Sequence, residues 1–145
     1  MSKSNATEND LVKFIFNAVA MPAYGASLQL NFHTADPGEG GTATTNEPTP
    51  VNYAAQTVAR DGTGWIICDT DGTPNASGSA AKSAVLVTFP EIEGGFVGTE
   101  TWTRGSVSVV ATGQILYSGA LTQSIIVSAL TTPNFPAGTV LFQED

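Results

Sequence analysis

Any acid–base or nucleophilic chemistry in this chain has to be built mainly from one histidine, one cysteine and 13 carboxylates. His33 closes an alternating run, Leu28-Gln29-Leu30-Asn31-Phe32-His33, three residues before Asp36. A general base needs such an imidazole within reach of a proton and oriented by a partner. Asp36, however, opens Asp36-Pro37-Gly38, which reads as an Asx turn, so His33 is expected to be a hydrogen-bonded structural residue. Glu91, Glu93 and Glu100 could meet as a glycosidase-type carboxylate pair, but their spacing gives that reading no support. Asp69-x-Asp71-Gly72 opens like a calcium loop and then lacks the later ligands and the closing glutamate, so an Asp-Gly turn is expected. The lone Cys68 excludes a disulfide within the chain and any multi-thiolate zinc site, and it reads as a small apolar residue in a strand. Gly38-Glu39-Gly40-Gly41 follows a strand with no helix after it to supply a positive end for a phosphate. Catalytic residues, cofactor ligands and metal ligands are therefore all expected to be none.

The balance of residue types narrows the partners. With 145 residues and 41% hydrophobic content, the chain is sized for one domain with a real core. A net charge of −8 without a local basic patch opposes direct contact with nucleic acid. Charged residues are only 12% of the total, about half the usual share, which suits a surface that spends its life against other proteins. No apolar run approaches the roughly 18 residues of a membrane span. The N-terminus lacks the features of a signal peptide, so synthesis in the cytosol is expected and the sequons at Asn5 and Asn75 carry no meaning.

The elements that would position these side chains come in a simple order. Residues 1–6 are polar and expected to be mobile. Thr7 and Asp10 form a weak capping box, and Leu11, Phe14, Ile15, Ala18 and Val19 recur at helical spacing until Pro22, predicting a helix of about 12 residues within 7–20. Val12 and Phe16 widen its apolar face, leaving two readings: a lid over one end of a sandwich, or an element that docks on a partner. Residues 34–53 form a long polar loop whose Pro48 and Pro50 favour extended backbone; it is either an arm laid over a neighbour or a mobile tip. Strands are predicted at 27–33, 55–60, 64–69, 84–89, 96–103, 107–111, 114–121, 123–129 and 139–143, with the 64–69 strand buried on both faces and turns at Arg104-Gly105 and Thr112-Gly113. Eight or nine short strands with frequent turns predict a mainly β, antiparallel, jelly-roll-like sandwich: one domain over 7–145 with a single N-terminal helix. Leu11, Phe14, Ile15 and Phe16 on the helix, with Thr44, Glu47, Pro48 and Pro50 on the loop, are the expected partner contacts.

LQLNFHTADPGEGG at 28–41 resembles a family of small structural proteins of tailed bacteriophages. The likeness extends over residues 8–19, YAAQTVARDGTG at 53–64 with Trp65, AVLVTFP at 84–90, GQILYSGALT at 113–122 and the ending from Pro133 to Asp145. HTADPG at 33–38 followed far downstream by LYSGALT is its most specific part, while 69–83 is longer than in that family. The resemblance implies a non-enzymatic virion component. Together with the composition, it favours a capsid decoration (cement) protein: a homotrimer on the capsid surface, bound to the major capsid protein. The alternative is a tail-fibre or minor tail protein, for which a receptor-binding tip would need an exposed aromatic platform built on Trp65 or Trp102.

Overall fold

The computed structural model describes residues 2–143. Strand β1 (Ser2–Lys3) leads into helix α1 (Asn5–Asn17), followed by β2 (Ser27–His33), β3 (Gln56–Ala59), β4 (Trp65–Cys68) and β5 (Ala80–Ser83). The chain continues through β6 (Val87–Thr88), β7 (Thr99–Val109), β8 (Ile115–Ser128), β9 (Asn134–Phe135) and β10 (Leu141–Gln143). The strands pair as a five-stranded antiparallel sheet, β1-β8-β7-β2-β3, a three-stranded sheet, β10-β5-β4, and the ribbon β6-β9. The expected class, mainly β and antiparallel with one short helix, is the one observed, and the packing of two sheets is consistent with the jelly-roll-like sandwich.

The core lies where β2's alternation sends its apolar side chains. Leu30 and Phe32 are fully or nearly fully buried, opposite Val107 and Gly105 of β7. Gly105 matters because it lacks a side chain: a Cβ there would lie 3.6 Å from the Phe32 ring and 3.3 Å from Leu121. The space lets Phe32 sit among Phe89, Trp102 and Phe135, with ring centroids 5.0, 5.4 and 4.9 Å away. The expected turn at Arg104-Gly105 is thus the interior of one long strand, and this glycine marks close packing. Likewise the two strands expected at 114–121 and 123–129 are one, β8, whose pairing slips between Ala120 and Ile125. In place of a core strand at 84–89 there are β5, in a stretch read as loop, and the two-residue β6, while Leu86 is exposed. β5 is Ala-Ala-Lys-Ser, too small and polar for hydrophobic periodicity to register.

The N-terminus also differs from expectation. Ser2 and Lys3, read as mobile, pair with Ser118 and Tyr117, while Met1 lies outside the described residues. Buried Ser4, not Thr7, caps α1: the Thr7 N–H donates to Ser4 Oγ at 3.3 Å, and both hydroxyls donate to the Ile115 carbonyl. The helix therefore begins at Asn5. It ends before Pro22 is reached, because Ala18 turns left-handed at φ 53° and Val19 N–H donates to the Lys13 carbonyl.

Candidate functional site

The polar side of β2 is not a solvent face. Asn31 and His33, with Ser106 and Ser108 from β7, are buried, and His33 meets Thr45 of the loop 34–53. His33 Nδ1–H donates to the Thr45 carbonyl at 2.7 Å, leaving Nε2 to accept from the Ser106 hydroxyl at 2.7 Å. Asn31 Nδ2 in turn reaches Ser108 Oγ at 2.8 Å, the Gln29 carbonyl at 3.1 Å and Ser106 Oγ at 3.4 Å. Both ring nitrogens of His33 are engaged and none of its surface meets solvent, as its structural reading requires. Burial pushes its pKa below 6.5, partly opposed by the Thr45 contact and by Asp36. The unfolded chain takes up this proton first, so the stability held by neutral His33 is complete above about pH 6.5 and declines as pH falls below it. His33→Gln should cost about 1–2 kcal/mol at neutral pH. It should also flatten the decline of the melting temperature between neutral pH and about pH 5; an unchanged slope would remove His33 from that role.

The remaining chemical candidates are used up as scaffolding. Asp36 Oδ1 accepts from Gly38 N–H at 2.9 Å and its other oxygen pairs with Arg104 at 2.9 Å, completing the Asx turn. Asp71 Oδ1 accepts the Thr73 N–H and Asp69 Oδ1 accepts from Asn75, within an Asp-Gly turn. Cys68 is fully buried in β4. The glutamates at 91, 93 and 100 hold the far end of the long loop. Glu93 accepts from Val51 N–H at 3.0 Å, which keeps its carboxyl below the usual carboxylate range, and the Glu91 carbonyl accepts from Asn52. Glu100 takes the Thr49 N–H and hydroxyl and also the Trp102 indole N–H at 2.8 Å. Tyr53 then fixes the loop's end by accepting the Phe32 N–H at 2.9 Å. The loop is therefore laid on its own domain. Pro48 and Pro50, expected to touch a partner, are buried, whereas Thr44 and Glu47 are exposed. Glu100→Gln weakens these ties, so the Thr49 amide, which donates to Glu100, should exchange its hydrogen several-fold faster relative to the amides of β2; an unchanged ratio would mean that other contacts hold the loop.

Two apolar surfaces remain. Only Thr7 of α1 is buried. Phe16 is 77% exposed, Ile15 60%, Val12 53% and Phe14 51%, with Leu11 and Val19 also uncovered. Of the two readings of the helix, docking fits this exposure better than a lid: among the described residues, its hydrogen bonds to the rest of the domain come from the cap and first two turns, through Ser4, Asn5, Thr7 and Asp10.

The second surface had no signal in the sequence. β4 was expected to be buried on both faces, yet Ile67 is 48% exposed and Trp65 half-buried, because both line a cleft between the small sheet and the large one. Between them opens a cleft of about 740 Å³, lined chiefly by Leu28, Val107, Tyr117, Trp65, Ile67 and Phe142, with Arg60 and Asp61 on its rim. The Trp65 indole N–H is buried without a hydrogen-bond partner. A second hollow of about 760 Å³ beside Leu121 and Phe135 has a more polar rim, including Asp36, Glu39 and Arg104. Trp102 is fully buried, so neither tryptophan forms an exposed platform.

Among known families, the model described as Gp80, podophage GP4 fiber I protein gp80, matches residues 2–143. No curated protein matches the chain.

Proposed function

The chain belongs to the podophage GP4 fiber I protein gp80 family and is a phage virion structural protein of fibre type, and from this premise we propose that it is a non-enzymatic tail-fibre component held in place by protein–protein contacts. The family match over residues 2–143 carries the proposal, and it favours the tail over the capsid-decoration place expected from composition. The resemblance carried by HTADPG and LYSGALT, taken with the composition, favoured the capsid, with the tail fibre as its alternative, and the family match supports the alternative better. The docking element is α1, through Leu11, Phe14, Ile15 and Phe16, because a helix apolar on more than one side is stable in water only when covered. Thr44 and Glu47, exposed on the loop, are further contact positions. Neither a cofactor nor a metal takes part, and the functional unit is a homotrimer. A major capsid protein as partner belongs to the decoration reading and gives way with it.

Particles made without this protein test the reading directly. They should have intact, genome-filled heads and lose adsorption to the host. Particles that adsorb normally but have heads that rupture on mild heating would overturn the tail assignment in favour of a decoration protein.

A further inference from the structure

The N-terminal segment, β1 and α1, adds no side chain to the apolar core: among the described residues, the hydrophobic side chains that form the core or pack on it begin at Tyr24. Every residue from 11 to 20 is exposed, so detaching the segment would give up little hydrophobic burial. The contacts that hold it are mainly polar and gather on Gln114 to Ser118. The Ser4 and Thr7 hydroxyls donate to the Ile115 carbonyl, and Gln114 Nε2 donates to Asp10 at 3.1 Å and to the Thr7 hydroxyl at 3.4 Å. Ser2 and Lys3 pair with Ser118 and Tyr117, and Asn5 N–H donates to the Glu39 carbonyl at 2.9 Å. Water replaces such hydrogen bonds when a segment leaves, so each adds modestly to the hold. The connection to β2 is suited to act as a hinge. Residues 18–23 have no regular structure and start with the left-handed Ala18, at φ 53°. Beyond them Tyr24 packs on the core, and Arg60 donates to the Gly25 carbonyl at 2.7 Å and to the Ala26 carbonyl at 2.9 Å, which fixes the chain from there on.

We infer that residues 2–17 are a strap that leaves the domain as one unit, opening about residues 18–23 while both sheets stay folded. Among the described residues β1 is the only strand on the outer side of β8, so opening bares that strand's whole outer edge. An uncovered edge is a template for an extended segment of another chain, and lysine is one of the side chains that guard such edges. Closed, the strap sets Lys3 at the start of the edge, its ammonium 5.8 Å from the centre of the Tyr117 ring. The long loop keeps its place without the strap, because Ala43 N–H donates to the Gly113 carbonyl, and Glu100 and Tyr53 hold its far end. A helix of 13 residues is marginal by itself in water, so α1 unfolds once released and its amides report the opening. Release is a property of the fold and does not depend on where in a virion the chain sits.

Hydrogen exchange of the full-length protein, followed amide by amide, tests the strap. The amides of α1 should exchange on the order of 100-fold or more faster than those of β2, as for a unit that opens below the global unfolding free energy. Ser2→Cys with Ser118→Cys places two thiols on opposed residues of antiparallel strands, whose Cα atoms lie about 4.5–5.5 Å apart, within the span of a disulfide. Oxidised, this variant should exchange its α1 amides roughly 10-fold or more slowly than when reduced, with β2 unchanged, because the cross-link holds the strap at its far end. Thr7→Val gives the opposite sign and serves where the disulfide does not form. It removes one hydroxyl from the Ile115 carbonyl and should speed exchange roughly 5- to 10-fold along α1, Leu11 and Phe14 included, while leaving β2 as it was. Amides of α1 that exchange as slowly as those of β2 would show that the strap leaves only when the whole domain unfolds, and would overturn the inference. So would fast α1 amides that respond neither to the cross-link nor to Thr7→Val, the behaviour of a helix that frays from its free end.

Discussion

Phe32→Ala is expected to destabilise the domain by about 3–5 kcal/mol, the range for emptying a large aromatic site in a core, and to lower its melting temperature by roughly 10–15 °C. Phe32 is 2% exposed and its ring contacts Phe89, Trp102 and Phe135, which come from three separate parts of the chain. The neighbours are unable to collapse into the space, because Gly105 beneath the ring offers no side chain to fill it. Domains of this kind hold only about 5–15 kcal/mol in total, so the variant should be largely unfolded in mild denaturant. Phe32→Leu, which keeps most of the volume, should recover more than half of the loss. A melting temperature within about 3 °C of wild type for the alanine variant would show that the aromatic cluster is not the centre of the core.

Gly64→Ala is the second change expected to act strongly, for the opposite reason. Its Cβ would lie 2.0 Å from the Ala59 carbonyl oxygen and 2.9 Å from the Val58 side chain. Those are the backbone of β3 and a core residue, so relief requires moving a strand. Gly64 also sits in the connection from the large sheet to the small one, its carbonyl accepting the Ala84 N–H at 2.8 Å and its N–H donating to the Asp61 carbonyl. A loss of about 3 kcal/mol, the upper end for overpacking, is expected in chemical denaturation. Gly62→Ala serves as the control: no atom lies within 4 Å of its Cβ, and the change should stay within about 0.5 kcal/mol. Equal stabilities for the two variants would mean that the β3–β4 turn adjusts freely.

Local pattern was enough for the mainly antiparallel β class, the single helix and the structural reading of His33. The alternation of β2 places Phe32 inward, and the Asx turn at Asp36 accounts for the carboxylate nearest the histidine in sequence. The order of short motifs likewise pointed to a phage virion structural protein, the coarser assignment that the gp80 family match supports, and the apolar width of α1 was visible in its spacing. What the sequence lacked was any term for distance in space. Gly105 looks like a turn residue until Phe32 is packed over it, and Ser4 looks like mobile tail until the Ile115 carbonyl lies within its reach. Glu93 and Glu100 were weighed only as a carboxylate pair, because their partners, Val51 and Thr49, are 42 and 51 residues away in the chain. For the same reason Pro48 and Pro50 passed for a projecting arm. Ile67 read as core because an apolar run shows that a strand can be buried; whether it is depends on what faces it. Here a cleft walled also by Leu28, Val107 and Phe142 lies there, brought together by long-range packing that no local pattern encodes.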